Sequence, residues 1–209
     1  MQHPVRGFLH GTAALASLVG TVALLMRADS AWSRLAVLIY GLGLVLLYTT
    51  SSLYHAVAWR PVWKRRMQRA DHIAILVVIA ATYTPVAGMG LDGWLRIATL
   101  ALAWAIVVAG ATYVSRSRRQ NMAIPIALQV SLGWLAMLIL APLARRLPVP
   151  ATVLLATGGL LYTLGMVCML TGWPRLWPRV FSSHEVFHVL VVLASAAHFT
   201  AIFVYLAGA

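Results

Sequence analysis

The sequence predicts an all-α, polytopic integral membrane protein: a bundle of seven transmembrane helices with its N-terminus in the cytoplasm. Three observations carry that reading. Hydrophobic residues make up 62% of the 209 positions and charged residues only 10%, whereas a soluble domain carries about 25% charged residues. The charges are clustered, leaving seven stretches without Asp, Glu, Lys or Arg, at 7–26, 35–59, 72–91, 97–115, 120–144, 147–174 and 186–209. Each is close to or above the roughly 20 residues a helix needs to cross the hydrocarbon core. Backbone groups in lipid must pair internally, which leaves helices or closed barrels, and none of the stretches alternates like a barrel strand.

Taken in order, the first stretch follows Arg6 and could be mistaken for a signal peptide. It is too long for an h-region and has no small-residue cleavage site before Arg27, so it reads as a retained helix. The second ends in the polar run Thr49-Thr50-Ser51-Ser52 followed by His55, and the third opens on Asp71-His72. Pro85, Pro125, Pro142 and Pro150 fall in or near spans, where neighbouring helices can satisfy the freed carbonyls. Gly158 and Gly159 in the sixth stretch allow close helix contact. The single cysteine, Cys168, lies in the same stretch, which rules out an internal disulfide. Before the seventh, Ser182 with Glu185 three residues on reads as a capping box.

The connections are 27–34, 60–71, 92–96, 116–119, 145–146 and about 173–181. None is long enough to fold alone, no internal repeat is visible, and residues 1–209 form one domain. The net charge of +12 could point to nucleic acid. The basic residues, however, sit in connections rather than on an amphipathic face, which is how membrane orientation is encoded. The side bearing the N-terminus carries Arg6, Arg60, Lys64, Arg65, Arg66, Arg69, Arg116, Arg118, Arg119, Arg175 and Arg179; the other carries Arg27, Arg34, Arg96, Arg145 and Arg146. Eleven against five places the N-terminus inside and the C-terminus outside a cell membrane (the inner membrane in a bacterium), with membrane lipids as the expected partners. Neither a protein partner nor an oligomeric state can be read from the sequence.

Ionisable groups within spans are expensive and usually functional. In the expected topology His55, Asp71, His184 and His188 all lie near the cytoplasmic end, brought there by three segments distant in sequence. His184 and His188 are four apart and share one helix face, as do Ser51 and His55. Three histidines with a fourth position open is the arrangement of catalytic zinc. Asp71 could then orient or deprotonate a water there, and Ser51 could hydrogen-bond it. Other readings stand beside this one. A lone intramembrane histidine can simply bond a carbonyl, Asp71 can cap the third helix and pair with Arg69, and the Thr/Ser run can serve helix contact. His10 is either a support to the site or packing against Gly11. His72 points about 100° away from Asp71 and is not expected to be a ligand. His198 lies about 15 Å along the helix from His188, beyond reach of the same ion. His184-Glu185-Val186-Phe187-His188 also fits the zincin pattern His-Glu-x-x-His, and Leu91-Asp92-Gly93 resembles an intramembrane metalloprotease element. Asp92, however, falls in an outer connection, a membrane thickness from His184.

Ser51-Ser52-Leu53-Tyr54-His55, Asp71-His72, Thr82-Tyr83-Thr84-Pro85, His184 to His188, His198-Phe199 and His10-Gly11 together resemble the hemolysin III family. That family is similar to the progestin and adipoQ receptors and, more distantly, to alkaline ceramidases. The resemblance spans essentially the whole chain. It implies zinc held near the cytoplasmic face by His55, His184 and His188, an aspartate at Asp71 holding the zinc-bound water, and a serine at Ser51 one turn before the first ligand. The long N-terminal cytoplasmic domain of the animal receptors has no counterpart in this sequence, so partner-protein signalling is not implied.

The expected function is a zinc-dependent membrane hydrolase of a lipid amide or ester bond. The alternatives are a lytic or membrane-stress protein with structural zinc and a lipid receptor or sensor. The orientation is directly testable: a reporter fused after Ala209 should behave as periplasmic or extracellular and one at residue 65 as cytoplasmic. Both on one side would mean that the spans are miscounted.

Overall fold

The computed structural model describes residues 3–117, 123–177 and 180–208, and among them there is no strand, only an isolated bridge between Trp177 and Phe181. The helices are α1 (Pro4–Arg27), α2 (Ala31–Ala56), α3 (Pro61–Gly90), α4 (Gly93–Arg116), α5 (Ala123–Trp134), α6 (Ala136–Ala144), α7 (Val149–Thr171) and α8 (Ser183–Tyr205). With α5 and α6 taken as one span, seven are long and apolar enough to cross a membrane.

Helix starts follow local chemistry. Proline occupies the first turn of α1, α3 and α7, where its missing N–H is an orphan in any case. Ser30 caps α2 through a box with Ser33, and Glu185 Oε2 accepts from the Ser182 N–H at 2.9 Å at the start of α8. Gly172 closes α7 at φ +65°, a left-handed conformation that glycine adopts without penalty.

The third helix departs from the expected pattern. The basic segment read as a connection over 60–71 is helical from Pro61 onward, so Asp71 lies ten residues inside α3 instead of opening it. Absence of charge locates the hydrocarbon but not the helix end: Lys, Arg, Met and Gln are good helix formers, and long basic side chains extend to the interface. Asp71 therefore caps nothing, and Arg69 does not pair with it but donates to the Ser117 carbonyl at 2.6 Å.

The fifth span is interrupted at Leu135. The Tyr83 hydroxyl of α3 donates to the Leu132 carbonyl at 2.9 Å, and that carbonyl would otherwise serve the ladder across the break. A side chain inserted into the ladder is a recognised cause of a helix discontinuity.

Packing joins α1 to α2, α2 to α3, α3 to α4 and α7 to α8, while α1 also meets α8. The central α3 is the most enclosed of the spans. Its neighbour α2 contributes Tyr40 and Tyr48, both fully buried. Large apolar side chains such as Leu15, Val19 and Met26 face outward, as expected of surfaces that meet lipid. Contacts across the bundle identify its two ends. At one, Arg6 meets Glu185 and the His3 N–H donates to the His55 carbonyl at 3.1 Å. At the other, Arg27 donates to the Val204 carbonyl, Trp32 to the Gly88 carbonyl, and Arg146 pairs with Asp92. That hydrogen bond and charge hold the Asp92 carboxyl below its ordinary range.

Small residues set the α7–α8 separation. A Cβ on Gly158 would come within 2.3 Å of the His198 ring, whereas one on Gly159 would meet nothing within 4 Å. Gly158→Ala should therefore push His198 off the Leu155 carbonyl, which it bonds at 3.0 Å, and destabilise the protein by about 1–3 kcal/mol. Gly159→Ala should leave the melting temperature unchanged. Equal melting temperatures for the two variants would contradict this packing.

Candidate functional site

At the end that holds Arg6 and Glu185, the last turn of α2 and the first turns of α8 bring three imidazoles together. One ring nitrogen of each of His55, His184 and His188 lies within 4.8 Å of the others. His184 and His188 stack at a centroid separation of 4.9 Å and an interplanar angle of 15°, the consequence of their i, i+4 spacing on α8. The His55 ring stands nearly perpendicular to both, at 5.1 and 4.9 Å. His55 and His188 are buried and His184 is half-buried.

The arrangement suits a cation. His188 Nε2 is buried with no hydrogen-bond partner, a costly state for a polar atom inside the bundle. A cation shared by the three rings would satisfy it, and borderline nitrogen donors of this kind suit zinc among other divalent ions. The opposite nitrogen, Nδ1, is taken: it lies 2.8 Å from His10 Nε2.

Ser51, one turn before His55 on α2, is buried and within hydrogen-bonding reach of the Asp71 side chain on α3. Asp71 Oδ1 is buried and unpartnered. Asp71 also acts electrostatically on Tyr54, whose ring lies 4.7 Å from that of His55. Ser51 thus brings the Asp71 carboxyl to the same end of α2 as His55.

The remaining histidines separate as the spacing leads one to expect. His198 bonds the Leu155 carbonyl, and His72 faces Gln129, whose Nε2 lies 3.3 Å from His72 Nδ1 and donates to the His72 carbonyl at 3.2 Å. Neither joins the cluster. Of the two readings of His10, the support role fits the geometry, since its ring is 4.0 Å centroid to centroid from that of His188.

Sequence reasoning missed two features. His3 covers the cluster from the start of α1, its ring centroid 6.2 Å from that of His55. Arg6, counted only for orientation, donates from Nε to Glu185 Oε1 at 2.6 Å, and both side chains are largely enclosed. The one available signal was that His3, Arg6 and His10 recur at helical spacing on a single face of α1. The Arg6 pair also bears on the zincin pattern. Glu185 is engaged by Arg6, the Ser182 N–H and the Ser182 hydroxyl. Asp92 of the protease-like element stands at the N-cap position of α4 at the far end, without a side-chain capping bond.

The haemolysin-III related family profile matches residues 1–199. The chain belongs to that family. A hemolysin-3 homolog of Bacillus subtilis (strain 168) is 29% identical over 199 residues, covering 94% of this chain and 90% of its own. The hemolysin-3 of Bacillus cereus is likewise 29% identical over 199 residues, covering 94% and 88%. A more distant relative is the human monocyte to macrophage differentiation factor, 25% identical over 209 residues, with 98% and 84% covered. Family membership and the seven apolar helices make this haemolysin-III related chain a multi-pass membrane protein.

The cluster yields a direct test. Purified protein titrated with zinc or cobalt should take up about one ion per chain, since a single set of three nitrogens is available among the described residues. His55→Ala, His184→Ala and His188→Ala should each lower uptake strongly, while His198→Ala should not. If His198→Ala strips the ion and His55→Ala spares it, the ligand set is wrong.

Proposed function

We propose that this haemolysin-III related protein is a zinc-dependent membrane enzyme that hydrolyses an amide or ester bond of a lipid, with its site at the cytoplasmic face of the cell membrane. The observation that carries the reading is an unpartnered, buried carboxylate oxygen on Asp71, at the same end of the bundle as a three-imidazole cluster. A polar group left unpaired within a bundle is expensive, and two of the four such buried atoms among the described residues, His188 Nε2 and Asp71 Oδ1, lie at this end of the bundle, the others being Thr152 Oγ1 and His198 Nδ1. His55, His184 and His188 would hold the zinc, which when bound polarises a scissile carbonyl and lowers the pKa of water towards about 7.

The chain's own groups account for the rest. Asp71 Oδ1 is free to accept a proton from the attacking water and return it to the leaving amine or alcohol. Ser51 orients the Asp71 carboxyl from one turn below His55. Glu185 takes no part in proton transfer, because its oxygens are engaged by Arg6 and Ser182. The basic residues gathered at this end of the bundle support a cytoplasmic position, although Arg118, Arg119 and Arg179 of that count lie outside the described residues. The outward apolar faces would let an acyl chain approach from the bilayer.

A second reading is a structural ion in a lytic, membrane-stress or lipid-sensing protein. It is favoured by the way the cluster ties α2 to α8 while Arg6 and His10 tie α1 to α8, so an ion there would also brace the bundle. Asp71→Asn separates the two, since Asn keeps the shape but cannot take a proton. If the enzyme reading holds, zinc uptake and melting temperature should be largely kept, while turnover of lipid extracts followed by mass spectrometry falls about 10² to 10⁴-fold. If the ion is structural, affinity should drop about 10- to 100-fold with the melting temperature, and wild type should change no lipid.

A further inference from the structure

The geometry points to His10 as a positioning residue that sets which nitrogen of His188 faces the imidazole cluster. This rests on the reading of His55, His184 and His188 as a metal site. A neutral imidazole carries one N–H and one lone pair. For His188 to ligate through Nε2, the nitrogen left without a protein partner, its proton must reside on Nδ1, and that N–H needs an acceptor inside the bundle. His10 supplies one: its Nε2 lies 2.8 Å from His188 Nδ1, and its Nδ1 lies at 3.2 Å.

The fold is built to bring this ring in. His10 is buried to 2% exposure although it stands on the outermost chain segment of the site. Two glycines flank it and let α1 close on α2. A Cβ on Gly7 would stand 2.8 Å from the Ala56 Cβ, and one on Gly11 would stand 3.2 Å from the Ser52 hydroxyl. The same approach lets Ser52 donate to the Gly7 carbonyl at 2.8 Å. Tyr48 meets the His10 ring edge-on at 5.0 Å and is itself anchored by its hydroxyl, which donates to Ser195 Oγ at 2.7 Å. His10 is therefore held between an anchored phenol and the His188 ring.

Without an acceptor at position 10, His188 has two outcomes. Either the Nδ1–H stays unpaired in an apolar setting, or the proton moves to Nε2 and removes the lone pair that an ion requires. Both weaken metal binding without removing any of the three ligands. Partners of this kind that orient a ligating histidine are worth about 10- to 100-fold in affinity.

The test compares wild type, His10→Leu, His10→Gln and His184→Ala by cobalt(II) titration followed through the ion's visible absorption, with metal-free melting temperatures alongside. His10→Leu keeps bulk but offers no acceptor and should bind about 10- to 100-fold more weakly. His10→Gln, whose amide oxygen can accept the Nδ1–H, should recover most of that loss. His184→Ala, lacking a ligand, should fall below both. Leu binding as tightly as wild type, or Gln faring no better than Leu, would overturn the inference while leaving the metal site standing. A wild type that takes up no cobalt would end both. Should His10→Leu fail to fold, ¹⁵N-histidine spectra of the metal-free wild type decide the matter. A proton on His188 Nδ1 upholds the role of His10, and a proton on Nε2 overturns it.

Discussion

The close seating of α1 against both α2 and α8 is the constraint on which the site depends. The second and eighth helices bear the three imidazoles, yet they meet chiefly through long side chains: His55 reaches His184 and His188, and Tyr48 reaches Ser195. It is α1 that packs on each of them. Its Arg6 binds Glu185, its Gly7 carbonyl takes the Ser52 hydroxyl, and its His10 meets His188. Interhelical hydrogen bonds of this sort average only about 0.6 kcal/mol each in a membrane protein. Their value lies in number and in direction, because each fixes the rotation of α1 relative to a ligand-bearing helix.

Below the imidazoles the polarity continues inward. Tyr48 and Tyr162 both meet the Ser195 hydroxyl, at 2.7 and 2.8 Å, and Tyr40 donates to the Ser195 carbonyl at 3.4 Å. The seam between α2 and α8 is thus lined by hydroxyls and imidazoles, whereas the outward faces of α1 and α7 carry residues such as Val19 and Leu160. The outward surface is apolar, unlike that of a soluble bundle, because the surrounding medium is lipid, while the interior combines this polar seam with an apolar core.

How legible this was follows from the range of each interaction. The seven spans could be read because hydrocarbon thickness imposes a length on charge-free runs, and the pairs His184–His188 and Ser51–His55 because they repeat at one helical turn. The start of α3 was not, since a run of Arg and Lys reads equally as a loop or as a helix leaving the lipid. Nor was the break at Leu135, which is caused by Tyr83 on another helix. Arg6–Glu185 and His10–His188 join residues 179 and 178 positions apart, and no local spacing records such a partner. The His-Glu-x-x-His pattern errs in the opposite sense: it is a correct local string whose Glu is claimed by distant chemistry.

The early start of α3 gives the molecule a depth gauge. Thirty residues make a helix of about 45 Å, against a hydrocarbon layer of about 30 Å, so the surplus must stand in the headgroup zone. Of the helix's first ten residues six are exposed and four half-buried, and Lys64, Arg65, Arg66 and Arg69 among them are suited to phosphate neighbours. Those ten residues occupy about 15 Å, so a headgroup position for them would bring Asp71, where they end, to the border between headgroups and chains. Amide and ester linkages of lipids lie at that same border. For the proposed hydrolase, a substrate would need to move sideways rather than be lifted from its leaflet, and the length of a basic helical overhang would set the height at which it meets the carboxylate.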